Sequence, residues 1–591
     1  MSLKDILSPL SAWRNITREP VTIKDPLNDR PGAPRYRGFH KNDIEKCIGC
    51  GTCETICENE AIDLVEVASI NAKNGDSGLR PLVDYGRCCW CALCVDICTT
   101  GSLSMSNEYT WVSNEPEDFR YIPGVDKKSW DDSELGWKKP DYSLIPTERI
   151  DMEEMEPSLR EGSFLEIVRG YSRIQAEKEA DRCTECGICV STCPAHMDIP
   201  GYIRAVREGN MEEGLRLLYE TNPLPEICGR VCTHKCEEVC AVGHSGDPLA
   251  IRWLKRYIAD QVPFEEYKRI LGIQSIEENG KKVGIIGAGP SGLSAAYYLR
   301  IRGFEVNIYE AKSKGGGMTM YGIPKYRLPM NMLDSEIGFL EEIGVNFIYE
   351  TRVGEDISFD NIYTKHDAVF VGIGFEKPYK INMDGEDMPG SLQAINFLDD
   401  INKDKTVDVG KTVAVIGGGN VAMDAARVSK RLGAEVIMLY RRRVEDMPAD
   451  SEEIDGAYEE GVKIYPQSIP VELIPDENGK VKGIKYLKAE MVSDDKGGRP
   501  RPIPIEGSET ILEIDTLIGA IGQEADYSFL PEKYSENIET DRGRMIVDEN
   551  NQTNLEKVFA GGDAVNRTAD AISAIADGHR AANGIEKMLL K

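Results

Sequence analysis

From Lys281 onward, short apolar runs alternate with amphipathic stretches, the rhythm of strands and helices laid out as βαβ units around parallel sheets. The most apolar stretches, such as Val413–Gly419 and Leu517–Gly522, are brief and glycine-broken. Helices are predicted at Leu293–Arg302 and Ala571–Ala582. Before Lys281 the pattern differs. Helical periodicity marks Ile203–Tyr219 and Ala250–Gln261, while residues 1–40 are punctuated by Pro26, Pro31, Pro34, Arg30, Arg35 and Arg37 and are expected to wrap over a neighbour. Residues 107–156 are acidic and proline-containing but carry Trp111, Trp130 and Trp137, so this linker is expected to pack along a surface rather than swing free.

The expected order is an N-terminal extension (1–36), a cysteine-rich domain (37–106), the acidic linker (107–156), a helical cysteine-containing domain (157–275) and a first dinucleotide domain (276–405). A second dinucleotide domain (406–515) and the remainder of the first (516–591) complete it. The fold class is multidomain, α+β and α/β. No apolar run approaches the roughly 20 residues of a membrane helix, and Met1-Ser2-Leu3-Lys4-Asp5 begins no signal peptide. A cytoplasmic protein without a transmembrane segment is expected. The net charge of −30 argues against nucleic acid as a partner. It suits solubility, or an acidic face that steers a basic protein partner.

All 17 cysteines precede residue 241. Without a secretion signal they read as thiolates or metal ligands, not disulfides. The first run is Cys47-x2-Cys50-x2-Cys53-x3-Cys57, and the second is Cys88-x2-Cys91-x2-Cys94-x3-Cys98. In such runs three thiolates curl around one cubane and the fourth reaches the other. This assigns one [4Fe–4S] cluster to Cys47, Cys50, Cys53 and Cys98, and a second to Cys88, Cys91, Cys94 and Cys57. Zinc sites do not use four-cysteine runs of this kind. Glu58 and Thr99 stand where proline usually follows the fourth cysteine. Cys89 fits neither register and is expected to be a buried spare thiol.

On these motifs residues 36–106 resemble a two-cluster bacterial ferredoxin. The lead-in from Glu19-Pro20-Val21-Thr22-Ile23 to Arg37-Gly38-Phe39-His40 is similar to the ferredoxin-like subunit of respiratory complex I and its hydrogenase relatives. A third run, Cys183-x2-Cys186-x2-Cys189-x3-Cys193-Pro194, is followed by Cys228-Gly229-Arg230-Val231-Cys232, Cys236 and Cys240. This resembles the helical domain of the NADPH-dependent glutamate synthase small subunit family. The resemblance implies one cluster on Cys183, Cys186, Cys189 and Cys240, and another on Cys193, Cys232 and Cys236. The last ligand of that cluster stays open. In several relatives it is a Gln or Glu, a position held here by Lys255, which cannot ligate while protonated; Cys228 is the alternative, and would make four all-cysteine clusters.

The first glycine-rich unit runs Val283 to Gly292, with Gly287 for the tight turn, Gly289 for close approach to a pyrophosphate and Gly292 for helix packing. Glu310 ends the next strand and suits a ribose hydroxyl. The second unit has Gly417, Gly419 and Ala422, and where an acid would stand it has Tyr440, followed by Arg441, Arg442 and Arg443. A missing carboxylate beside guanidinium groups favours NADP(H) over NAD(H). Val558–Asp563 supplies a strand, a turn at Gly561-Gly562 and the carboxylate of Asp563 for a flavin's ribityl chain. The helix after it presents N–H groups to the flavin. The first unit is therefore assigned to FAD, with the NADP domain inserted in the FAD domain. Gly315-Gly316-Gly317, Tyr326-Arg327-Leu328-Pro329, Gly372-Ile373-Gly374 and Ala520–Gln523 also look like the glutamate synthase small subunit pattern. The resemblance places Gly317, Arg327, Gly374 and Gly562 at cofactor.

The expected chemistry is hydride transfer between nicotinamide and flavin, then single-electron exchange with four [4Fe–4S] clusters, and no side-chain acid or base is required. His579 is expected to pack or face solvent, and no Cys-x-x-Cys follows residue 240, so a dithiol mechanism is excluded. The favoured reading is an NAD(P)H–acceptor oxidoreductase subunit in a hetero-oligomer, with ferredoxin or a catalytic subunit as partner. A bifurcating or confurcating transhydrogenase-type subunit and a pure electron relay in a larger assembly are the alternatives.

Overall fold

The computed structural model describes residues 8–19, 32–492 and 500–590. The stretch Pro20–Ile23 with Pro26, Arg30 and Pro31 lies outside them. The chain divides into two compact units: residues 1–148 with 184–188 and 240–248, and residues 149–183, 189–239 and 249–591.

In the first unit, strands Ile62–Glu66 and Leu79–Asp84 pair antiparallel, and Arg120–Tyr121 adds a third strand. His40–Asn42 pairs with Leu103–Met105. The tryptophan segment does more than lie along a surface. Trp130 is 2% exposed, stacks on Phe39 with centroids 4.3 Å apart and donates Nε1–H to the Tyr121 hydroxyl at 3.2 Å. Trp111 packs against the same cluster. The small ferredoxin-type sheet has too few apolar residues to close its own core, so the segment after residue 106 completes it. The expected linker is thus part of this unit to residue 148. The guanidinium groups of Arg35 and Arg37 sit 4.8 and 4.6 Å from the centre of the Trp137 ring. Cys89, expected buried, is exposed.

The second unit holds a helical part and two parallel sheets. Helix α1 (Pro225–Val231) crosses α2 (Ile251–Gln261) at Gly229, where a Cβ would come within 2.8 Å of the Arg256 Cα. The close crossing places α1 and its Cys228 in the core. Ile251, Leu254 and Ile258 give α2 the spacing that buries one face.

The first sheet contains β1 (Lys282–Ile286), β2 (Glu305–Tyr309), β3 (Asn346–Ile348), β4 (Ala368–Val371) and, from far along the chain, β10 (Val558–Ala560), in the order β10-β4-β1-β2-β3. The second contains β5 (Ser391–Gln393), β6 (Thr412–Ile416), β7 (Glu435–Leu439), β8 (Lys463–Tyr465) and β9 (Thr516–Gly519), in the order β5-β9-β6-β7-β8. Every pairing in both sheets is parallel. The second sheet is inserted between β4 and β10. The two crossing strands pair with each other at Lys377↔Glu524, whose side chains form a 2.9 Å ion pair.

The expected boundaries at 405/406 and 515/516 both cut this second sheet and are corrected. Strand β5 and the helix Ala394–Asn402 belong to it, the helix burying Phe397 and Leu398 in a core shared with Val413 and Val415. Strand β9 lies at its centre. A strand covered on both faces loses its alternation, so Leu517–Gly519 carried no sign of which sheet it joins.

Candidate functional site

The first unit collects its cysteines into two groups. Cys47, Cys50, Cys53 and Cys98 line one cavity, and Cys57, Cys88, Cys91 and Cys94 line another. Cys89, which the spacing assigns to neither cluster, also lines the second cavity. The loops wrap because residues within each run are left-handed: Gly49 and Gly51 in the first, and Trp90 and Ala92 at the matching places in the second. A non-glycine residue in that region costs about 1 kcal/mol, so the second loop is held by its surroundings. Burial pushes the Cys53 thiol well above its ordinary value, and the nearby thiols push it further; Cys88 rises to about 11 by burial. A thiol raised in this way ionises readily only with a cation beside it. Burial also raises Cys98, but hydrogen bonds from Ser102, Leu103 and Thr100 outweigh it and bring the thiol below its usual value.

Among the described residues no three His, Cys, Asp or Glu side chains converge on one point as a single metal ion requires. The thiols line two cavities, and four thiolates are the donor set a [4Fe–4S] cluster takes. Of the third set, Cys186 and Cys240 fall in the first unit, and Cys183 and Cys189 in the second. Within the first unit, burial raises the Cys186 thiol, with Cys50 and Cys240 adding to the effect.

In the second unit Cys193, Cys232 and Cys236 line a cavity together with Lys255, His234, Asp570 and Ile572. Lys255 is 4% exposed, and no carboxylate pairs with it among the described residues. Burial would depress its ammonium, but Cys232, Cys228, Cys193 and Cys236 hold it above the ordinary value. An unpaired buried ammonium is costly unless an anion lies beside it. A cluster bound by thiolates is such an anion, so the residues present fit the group. Cys228 is not on the cavity wall; it is fully buried within α1.

At the first glycine motif, Gly287 has φ 97° and a Cβ there would strike the Gly372 carbonyl at 2.6 Å. A Cβ on Gly289 would meet nothing nearer than 3.9 Å, which leaves its backbone open to a ligand, and one on Gly292 would be 2.1 Å from the Gly287 carbonyl. Glu310 is buried. Its Oε2 accepts the Ala288 N–H at 2.8 Å and its Oε1 the Lys312 N–H at 2.9 Å. It therefore fixes the turn that would carry the pyrophosphate. Gly317 packs on Gly289, its Cβ position 2.9 Å from the Gly289 Cα, and Gly374 faces open space.

Helix α3 (Pro290–Arg300) follows this turn and packs along α5 (Ala571–Leu589). A Cβ on Gly578 would be 2.2 Å from the Ser291 carbonyl, and Ser294 Oγ donates to the Ile575 carbonyl at 2.8 Å. This close packing brings the Gly561–Asp563 turn beside Ser291, since a Cβ on Gly562 would be 2.8 Å from its Oγ. Asp577, which sequence reasoning missed, braces the turn by accepting the Gly562 N–H at 2.9 Å. Burial and the Asp570 and Asp577 carboxylates raise Asp563 to about 6, partly offset by Arg544. Helix α5 begins at Asp570, which caps it by accepting the Ser573 N–H at 2.8 Å and also lines the Cys193 cavity. His579 stacks on Tyr298, centroids 3.9 Å apart, in a packing role.

The second motif opens helix α4 (Asn420–Arg431). Gly417 lies against the Ala520 carbonyl, Gly419 is open to within 3.9 Å and Ala422 packs beneath Gly417. The Tyr440 ring covers Gly418 while its hydroxyl donates to the Asp446 carbonyl at 2.7 Å. Arg443 is taken up by Asp446 at 2.9 Å. Arg442 Nε donates to the Pro500 carbonyl at 3.0 Å, and among the described residues no carboxylate pairs with Arg441 or Arg442.

Arg327 Nη1 pairs with Asp424 at 2.8 Å and its Nε with Glu453 at 2.8 Å. A buried guanidinium needs such partners, and two of its three nitrogens tie the loop after Tyr326 to Asp424 on α4 and to Glu453 on the helix Ser451–Glu459.

Comparison with known proteins agrees with this geometry. The pyridine nucleotide-disulphide oxidoreductase family matches residues 281–578, the dihydropyrimidine dehydrogenase domain II 4Fe-4S family residues 160–266, and the 4Fe-4S dicluster domain residues 46–103. The chain is 39% identical to the NADPH-Fe(3+) oxidoreductase subunit beta of Geobacter sulfurreducens, over 68% of this chain and 63% of that one. It is 42% identical to the NADP(+)-dependent formate dehydrogenase subunit beta of Moorella thermoacetica, over 68% and 60%. To the NADPH glutamate synthase small chain of Escherichia coli it is 35% identical, over 76% of this chain and 98% of that one. It thus spans less than two thirds of the length of the first two relatives. No described helix is long and apolar enough to cross a membrane. With both glycine motifs on paired parallel sheets and the cysteine runs before them, the chain belongs to the pyridine nucleotide-disulphide oxidoreductase family, in the group of the glutamate synthase small chains, and carries an added 4Fe-4S dicluster domain.

Proposed function

We propose that this chain is an NADPH–acceptor oxidoreductase subunit that exchanges electrons with a ferredoxin-type carrier or a catalytic partner chain. NADP(H) binds at Gly417, Gly419, Ala422, Arg441 and Arg442; FAD binds at Gly287, Gly289, Gly292, Glu310, Gly317, Gly374, Gly562 and Asp563. Four [4Fe–4S] clusters lie on Cys47–Cys98 and Cys183–Cys240. Bound flavin accepts a hydride as a pair and passes electrons singly, which is the conversion between nicotinamide and clusters.

The observation that carries this reading is the double role of α5. Its first turn follows the Asp563 loop, and its cap Asp570 lines the Cys193–Cys232–Cys236 cavity. One helix end therefore serves both the flavin-side carboxylate and the nearest thiol cavity. At that cavity the residues do distinct work. The three thiols hold the cluster, Lys255 offsets its negative charge, and the wall excludes water. Asp563 accepts from the ribityl chain, and Arg441 meets the 2′-phosphate of the nucleotide.

Two measurements test the reading. The purified chain reduces viologen dyes with NADPH faster than with NADH; silence with both defeats it. Iron analysis gives about 16 atoms per chain, four for each cluster. Cys228→Ser keeps that count if Cys228 is not a ligand, and a loss of about four atoms makes Cys228 the fourth ligand.

A further inference from the structure

The two thiol cavities of the first unit are met by different donors. In one, Thr52 Oγ1 lies 3.2 Å from Cys50 Sγ, and Ser102 Oγ lies 3.4 Å from Cys98 Sγ. In the other, backbone N–H groups of Ala61 and Trp90 reach Cys57 and Cys88 at 3.3 and 3.4 Å, and Cys94 meets an imidazole. His40 Nε2 is 3.2 Å from Cys94 Sγ, and the residue is 1% exposed.

The ring is pinned from its other side. The His40 backbone N–H donates to the Tyr85 hydroxyl oxygen at 2.6 Å, and that hydroxyl lies 2.7 Å from His40 Nδ1. The Tyr121 hydroxyl donates to the His40 carbonyl while accepting from Trp130 Nε1 at 3.2 Å. A ligating thiolate carries no proton, so the 3.2 Å contact is a hydrogen bond only with the ring hydrogen on Nε2, pointing at the sulfur, and Nδ1 then accepts from the Tyr85 hydroxyl. The opposite tautomer would set two lone pairs against each other. A fixed N–H aimed at a ligand sulfur favours the more negative, reduced cluster, because the hydrogen bond strengthens as charge accumulates on sulfur.

We propose that His40 is a positioning residue that raises the reduction potential of the cluster held by Cys57, Cys88, Cys91 and Cys94, through its Nε2–H···Sγ bond to Cys94. One electron enters, no covalent bond forms or breaks, and the proton stays on Nε2. The proposal rests on the reading that Cys94 ligates a [4Fe–4S] cluster.

The test is anaerobic redox titration of the full holoprotein with dithionite, followed by low-temperature electron paramagnetic resonance. His40→Leu is expected to lower one midpoint by at least about 60 mV, a tenfold change for a one-electron couple. The other midpoints should hold, and His40→Gln, which keeps an N–H donor, should recover part of the shift. In protein labelled with ¹⁵N-histidine, the same reduced cluster should show a nitrogen coupling that His40→Leu abolishes. Unchanged midpoints at full iron content, or no histidine coupling in the wild type, overturn the proposal. If His40→Leu loses a cluster, the wild-type coupling and the His40→Gln midpoint decide it. Cys94→Ser separates the underlying reading: if iron content and every signal stay unchanged, Cys94 is not a ligand, and that reading fails first.

Discussion

Glu310 shows what one side chain does at the first dinucleotide site. It holds the Ala288 and Lys312 N–H groups, so Glu310→Ala leaves two buried donors unpaired at about 1–3 kcal/mol each. The expected result is at least a tenfold weaker retention of FAD, read from the flavin-to-protein ratio after gel filtration. Arg441→Ala removes a charge-assisted contact worth about 1.5–3 kcal/mol. It should raise KM for NADPH by more than tenfold while leaving that for NADH nearly unchanged. Asp563 gives a pH signature in the flavin-free protein. Its folded value, raised to about 6, lies above the unfolded carboxylate value, so the folded state binds the extra proton. Stability therefore falls as pH rises from about 4 to 6, and stays lower above that window. Asp563→Asn should remove this loss: its apoprotein melts higher than wild type at pH 8 and not at pH 4.

Residue identities at the site were legible where spacing alone carries chemistry. The glycines, Glu310 and the cysteine runs declare themselves because a tight turn or a cubane imposes fixed intervals. His40 gave no such signal; it lies 54 positions from Cys94, and only the pairing of its strand with Leu103–Met105 brings it there. The ion pairs of Arg327 gave no signal either, because Asp424 and Glu453 are distant from it in sequence.

At the scale of elements, the βαβ rhythm predicted both parallel sheets, and the order of motifs predicted the insertion. The insertion's edges were not legible, because β5 and β9 are short, fully or partly buried strands with no alternation to assign them. The tryptophan segment was underestimated for a related reason: acidic composition describes its exposed residues and hides the few that enter the core. Trp130→Ala should cost about 3–5 kcal/mol. Thermal denaturation followed by bleaching of the cluster absorbance should show that loss as an earlier melting phase, whereas replacement of exposed Trp13 leaves the midpoint within about 0.5 kcal/mol of wild type.

For the whole molecule, the net charge of −30 would make association with any basic-faced protein sensitive to salt. The central claim concerns the electron path: nicotinamide to flavin to thiol cavity, with α5 serving the last step. It is tested most directly by adding stoichiometric NADPH anaerobically to the holoprotein and freezing samples for low-temperature electron paramagnetic resonance. The account predicts that reduced [4Fe–4S] signals appear as the flavin absorbance bleaches. Complete bleaching with every cluster still oxidised, in protein whose clusters dithionite does reduce, would contradict it.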